Sequence, residues 1–123
     1  MKPADLAAVL NKPANERPLV LQIGFQFLYK QKHIPGSIFA GPAGEPEGLQ
    51  RLDAALANTP KNAEVVIYCG CCPWTHCPNI RPAYSELKKL GYTNIRVLET
   101  TENLKTDWIE KGYPTESGEA VKQ

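Results

Sequence analysis

All four cysteines of this chain fall between Val65 and Pro82, in the stretch VVIYCGCCPWTHCPNIRP, at positions 69, 71, 72 and 77. Thiols this close together have three chemistries open to them: nucleophilic attack, disulfide exchange and metal binding. Cys69 ends a β-branched and aromatic run, Val65 to Tyr68, and a helical pattern with Ala83, Leu87 and Leu90 follows the loop. An open α/β sheet places its chemistry at such a strand end. Successive N–H groups of a loop that opens into a helix stabilise a thiolate, lowering its pKa from about 8.5. The blander reading of Cys69 is a buried strand-end thiol, because cysteine is among the most buried residue types.

The loop itself runs through Gly70, Cys71, Cys72, Pro73, Trp74, Thr75, His76 and Cys77. Cys69-Gly70-Cys71-Cys72 is a C-x-x-C in a βαβ setting, in which one thiolate attacks a disulfide and the second resolves it. Cys71 and Cys72 are adjacent, and a bridge within one dipeptide is strained. The candidate pairs are therefore Cys69 with Cys72, or Cys71 or Cys72 with Cys77. Cys69, Cys72, His76 and Cys77 also form a Cys3His set suited to tetrahedral zinc. Zinc sites usually draw ligands from two separated segments, and this set sits in one loop with Pro73 and Pro78. No cofactor is expected, with zinc as the alternative. His76 reads as an exposed loop residue, or as a base near Cys69. Trp74 reads as an aromatic packed over the loop, or as a lid or partner anchor. Arg81 is the nearest cation, a candidate for substrate binding from the first helical turn or a surface residue.

The elements that must position these groups alternate along the chain. Pro3 to Leu10 suits a short helix, and Leu19 to Ile23 a strand ended by Gly24. Phe25 to Lys32 suits a short helix packing Phe25, Leu28 and Tyr29 inward. His33-Ile34-Pro35-Gly36 is a type II turn signature, with Pro presetting φ and Gly accepting a positive one. Ser37 to Ala40 reads as a strand, and Gly41 to Gly48 as a loop. Leu49, Leu52 and Leu56 recur at helical spacing. Ile95 to Leu98 is the next strand, and Glu102 to Lys111 a closing helix with Leu104, Trp108 and Ile109 on one side. Trp108 is expected in the core. The tail from Glu116 to Gln123 is polar and expected to fray. Strands alternating with helices imply an α/β fold, a parallel sheet with helices on both faces.

Composition narrows the rest. At 123 residues one domain is expected, and 42% hydrophobic with 22% charged residues is ordinary for a globular chain. A net charge of +1 with no basic run gives no electrostatic case for nucleic acid or a membrane surface. No apolar run approaches the roughly 20 residues that span a bilayer. The chain is expected to be soluble, with the compartment open between cytoplasm and export after removal of a leader. Cysteines confined to one loop cannot staple a whole fold.

Several motifs in order resemble the rhodanese-like domain, the family of single-domain sulfurtransferases and their relatives. HIPGS at His33 to Ser37 is similar to its turn motif, and VVIYC at Val65 to Cys69 to its catalytic strand. LGYTNIRVL is similar to its last strand, and DWIEKGYP at Asp107 to Pro114 to its C-terminal helix and exit. The resemblance spans nearly all of 1–123 and implies one rhodanese-like domain, a central parallel sheet of about five strands flanked by helices on both faces. Departures accompany it. Gln22, Ile23 and Gly24 stand where the family usually has Asp-Val-Arg, Lys32 where it has a glycine before its histidine, and Thr100 and Thr101 where it has a glycine pair. The cysteine loop is also longer, and the extra length holds Cys71, Cys72, His76 and Cys77.

The resemblance implies that Cys69 takes a sulfane sulfur from a donor, carries it as a persulfide and passes it to a thiophilic acceptor. Its partners are then a small-molecule or protein sulfur donor and a thiol acceptor. No Lys or Arg lies between Cys69 and Asn79, so the dianionic thiosulfate is a poor donor and a persulfide a better one. Phosphatase and arsenate-reductase relatives need Cys-x5-Arg, and Thr75 stands at that arginine. The alternatives are a thiol-disulfide oxidoreductase using C-G-C-C and a Cys3His loop on a non-catalytic rhodanese module. A hybrid also follows, in which a neighbouring thiol attacks the Cys69 persulfide, releases sulfide and leaves a disulfide.

Overall fold

The short apolar runs of the sequence form four strands among the described residues. In the computed structural model, which describes residues 1–13, 16–24, 26–41, 43–69 and 73–117, residues 26–28 are described by backbone alone. The strands are β1 (Leu19–Gln22), β2 (Ile38–Phe39), β3 (Glu64–Tyr68) and β4 (Asn94–Val97). The helices are α1 (Pro3–Val9), α2 (Gln26–Gln31), α3 (Pro46–Ala55) and α4 (Ile80–Lys89), followed by a π-helical turn, Lys105–Ile109. The sheet order is β2-β1-β3-β4 and all three pairings are parallel, giving four strands where about five were expected. Leu21 pairs with Ile38 and Ile67, and Ile67 with Val97, so β1 and β3 are interior.

The period-two alternation of a strand divides the core into two layers. Leu21, Ile23, Val65, Ile67 and Cys69 pack with Leu52 and Leu56 of the α3 segment and with Ile80, Ala83 and Leu87 of α4. Val20, Val66, Tyr68 and Leu98 pack on the opposite face with Leu6, Leu10, Leu104 and Trp108. Helices thus cover both faces. A strand buried on both sides reads as a continuous apolar run, which is why Val65 to Tyr68 shows no polar residue.

The turn at Pro35–Gly36 forms as the sequence predicts. Ser37 N–H donates to Ile34 O at 2.9 Å and Gly36 has φ +79°, the positive value that favours glycine. Tyr68 anchors that turn to the sheet. Its hydroxyl accepts from Ile34 N–H at 3.3 Å and pairs with Ser37 Oγ at 3.0 Å.

Three local expectations change. The helix expected from Leu49 begins at Pro46, because proline suits the first helical position, where its missing N–H is no loss. The closing helix is a π-helical turn, with Glu110 N–H donating five residues back to Lys105 O at 2.8 Å. The tail expected to fray is held at its first two residues, Glu116 and Ser117, and 118–123 lie outside the described residues. Glu116 and His33 exchange two backbone hydrogen bonds of 2.8 Å, and Ser117 Oγ donates to Gln31 O at 2.8 Å. Polarity alone cannot reveal such long-range backbone pairing. The expected inward Phe25 lies outside the described residues, while Tyr29 of the same segment is buried. No described helix is long and apolar enough to cross a membrane.

Candidate active site

β3 delivers Cys69 to the C-terminal edge of the sheet, one residue beyond Tyr68. Ile23 N–H donates to Tyr68 O at 2.8 Å and Leu98 N–H to Ile67 O at 2.9 Å, so strand partners flank the cysteine on both sides. The side chain of Cys69 is fully buried on the α3/α4 face. Ala40, Ala43 and Ala83 belong to the same cluster, as do Ile80 and Cys77. The structure therefore brings Cys69 and Cys77, eight positions apart, into one buried group.

The described part of the loop is held at two points. Trp74 N–H donates to Thr100 O at 3.0 Å, tying the loop to the exit of β4. Asn79 Oδ1 accepts from Gly44 N–H at 2.9 Å, tying it to the exit of β2. Loops after three parallel strands thus converge on the edge where Cys69 emerges. The approach at Gly44 is close. A Cβ there would lie 3.0 Å from Asn79 Oδ1 and 3.3 Å from Pro78 O. Asn79 is the N-cap residue of α4, yet its side chain makes no cap bond to the first turn. The side-chain oxygen that would satisfy that turn is spent on Gly44 instead.

Pro73 to His76 is a turn closed by His76 N–H donating to Pro73 O at 2.9 Å. It leaves Thr75 and His76 exposed, Pro73 and Trp74 half-buried, and returns Cys77 to the interior. His76 therefore sits on the solvent side of the turn, whereas Cys69 and Cys77 are in the core. Among the described residues no three His, Cys, Asp or Glu side chains group as metal ligands. Gly70, Cys71 and Cys72, and with them the C-x-x-C pairings and the Cys72 ligand, lie outside the described residues. Arg81 is exposed on the first turn of α4 and lines a groove of about 620 Å³ with Trp74, Thr75, Ile80, Tyr84, Ser85 and Val97.

Two buried oxygens at this end of the sheet have no hydrogen-bond partner among the described residues, Gln22 Oε1 and Thr100 Oγ1. Gln22 is 1% exposed and is the register partner of Tyr68, and Thr100 is fully buried. Leaving such a group unpaired costs on the order of 1–3 kcal/mol, so each is an energetic oddity of this edge. Both stand where the family pattern has another residue. Sequence reasoning noted the departures without placing these atoms near the site, and it missed Asn79 and Gly44 altogether. An asparagine directly before a helix was the available signal, but it points to a cap rather than to a loop tie.

A family model, the rhodanese-like domain, matches residues 3–100. No curated protein matches the chain significantly. Among solved structures, the Alr3790 protein from Anabaena sp. superposes with a TM-score of 0.71 at 18% identity, covering 96% of this chain and 92% of that one. A thiosulfate sulfurtransferase from Pseudomonas aeruginosa gives 0.69 at 25% identity over 98% of this chain and 20% of that one. A rhodanese with anions from E. coli gives 0.54 at 23% identity, covering 82% and 99%. With a family model over most of its length and the α/β architecture those structures share, the chain belongs to the rhodanese-like domain family.

Proposed function

We propose that the protein is a sulfurtransferase that carries sulfane sulfur on Cys69. The observation that carries this reading is the position of Cys69, the first residue past the central strand, in a loop that ends at the N-terminus of the ten-residue helix α4. In the first step the Cys69 thiolate attacks the outer sulfur of a donor persulfide. The donor S–S bond breaks, a new S–S bond forms on Cys69, and the donor leaves as a thiolate that takes up a proton. In the second step an acceptor thiolate attacks the outer sulfur on Cys69, and Cys69 leaves as a thiolate. No net oxidation occurs. The persulfide anion is favoured by the partial positive charge of the α4 N-terminus. The Thr100 hydroxyl, buried at the same edge and without a partner among the described residues, is a further donor there.

The donor is a persulfide in preference to thiosulfate, because residues 70–79 supply no cation for a dianion. Single-turnover assays with a low-molecular-weight persulfide and with thiosulfate test this. Faster loading by the persulfide, abolished in Cys69→Ser, is the expected result; loading of the Ser variant at the wild-type rate would reject it.

The shared burial of Cys77 and Cys69 favours one variation. When no acceptor is present, the Cys77 thiolate attacks the inner sulfur of the Cys69 persulfide, hydrosulfide leaves and a Cys69–Cys77 disulfide remains, to be reduced by an external thiol. Sulfide released without acceptor should then fall in Cys77→Ser. Unchanged release would exclude Cys77 as the attacking thiol.

A further inference from the structure

The groove beside the cysteine loop has a composition that the sulfur chemistry does not require. It is lined by Trp74 and Thr75 from the loop, by Ile80, Arg81, Tyr84 and Ser85 from α4, and by Val97 of the edge strand. Tyr84, at 38%, is the one exposed large hydrophobic side chain among the described residues. Tryptophan, tyrosine and arginine are the residue types that dominate protein interfaces energetically.

The stripe of α4 that borders the groove carries cations and no carboxylate. Arg81, Tyr84, Ser85 and Lys88 follow helical spacing and form one stripe, with cations about 10 Å apart along the axis and a tyrosine between them. No ion pair among the described residues engages Arg81 or Lys88. The single acidic residue of α4, Glu86, lies on the other flank beside the Asp53 carboxylate of α3, whose proximity raises its pKa. The groove flank is thus cationic and uncompensated, which suits an anionic occupant.

Burial decides between a small occupant and a macromolecular one. Cys69 is fully buried, and Ile80 both lines the groove and packs in the cluster that holds Cys69. Cys69 is not among the residues lining the groove, so a small thiol seated there would not touch the sulfur. A protein anchored there would rest on Trp74, part of the cysteine loop itself, and could present a flexible thiol to that loop.

We propose that the groove formed by Trp74, Arg81 and Tyr84, extended by Lys88, docks a sulfur-exchanging partner protein through a segment with carboxylates on both sides of an apolar residue. The carboxylates pair with Arg81 and Lys88 and the apolar side chain packs between Trp74 and Tyr84. This rests on Cys69 being the sulfur carrier and identifies the class of partner it serves.

The probe is a fluorescent peptide with glutamates flanking a leucine–phenylalanine pair and a terminal cysteine. Its controls are the same peptide with lysines for glutamates, and glutathione. The whole protein should bind the acidic peptide about tenfold or more tightly than the lysine peptide, with affinity falling as salt rises. Lys88→Glu and Tyr84→Ala, both surface changes, should each weaken that binding severalfold. Equal binding of the two peptides, or binding that ignores both substitutions, would overturn the proposal. So would glutathione displacing the acidic peptide, because the groove would then be a small-thiol site. Sulfur loading of the wild-type protein is read separately. Selective peptide binding without loading would contradict the sulfurtransferase reading and not the groove, and loading without selective binding would do the reverse.

Discussion

Tyr68 and Cys69 are neighbours in the chain that serve opposite faces of one sheet. Cys69 enters the layer under α3 and α4, while the Tyr68 hydroxyl joins Ile34 and Ser37 on the other side. Fixing Tyr68 therefore fixes the backbone from which Cys69 departs. Tyr68→Phe should leave Ile34 N–H and Ser37 Oγ short of a buried partner and cost about 1–3 kcal/mol, read from urea unfolding. The phenol also carries a pH signature. Burial pushes its pKa well above the ordinary tyrosine value, with the Ser37 and Ile34 hydrogen bonds opposing the rise only in part. The folded state then holds this proton more tightly than the unfolded chain. Its contribution is complete below about pH 10 and is lost as pH climbs beyond that, so Tyr68→Phe should flatten the alkaline fall in stability. Cys69 was legible because the strand run and the cysteine adjoin in sequence. The partners of Tyr68, 34 and 31 positions away, were not, since hydroxyl pairing across a fold leaves no local pattern.

At the scale of elements, the cysteine loop is placed by its neighbours more than by its own residues. Trp74 is bound to the exit of β4 and Asn79 to the exit of β2. Asn79→Ala removes the acceptor of the Gly44 N–H and should cost about 1–3 kcal/mol. Gly44→Ala meets Asn79 and Pro78 at 3.0 and 3.3 Å and should force the two loops apart, seen as faster amide exchange at 73–79. The closing segment has its own clasp. The Asp107 carboxylate accepts from Thr101 Oγ1 and from the N–H groups of Glu102 and Asn103, at 3.0, 2.7 and 3.1 Å. Desolvation would raise its pKa, but these hydrogen bonds outweigh it and hold the carboxyl below the usual aspartate value. Its contribution is therefore present above the ordinary aspartate pKa and lost as pH falls through the lowered one, a loss that should be absent in Asp107→Asn. Periodicity disclosed that a helix follows Glu102, through Leu104, Trp108 and Ile109. It could not disclose a π-helical winding, because the apolar spacing of one turn is compatible with either.

At the scale of the molecule, two apolar layers share the interior strands β1 and β3. Damage to one layer should therefore be felt as loss of the whole fold. Trp108, fully buried on the face opposite Cys69, donates its indole N–H to Pro114 O at 2.7 Å. Trp108→Ala should cost about 3–5 kcal/mol and lower the single unfolding midpoint followed by circular dichroism, without creating a second transition. The parallel sheet was readable from strands alternating with helices, because Val65 to Tyr68 and Leu19 to Gln22 are too apolar to lie at a surface. The hold of Glu116 on His33 was hidden, because Glu116 contributes mainly backbone bonds there. All of this architecture converges on one sulfur atom, and intact mass spectrometry of the protein after incubation with a persulfide donor tests that directly. The account predicts an adduct of one sulfur atom on wild-type protein, discharged by an acceptor thiol and absent from Cys69→Ser. An adduct that persists in Cys69→Ser, or that never forms on the wild type, would contradict it.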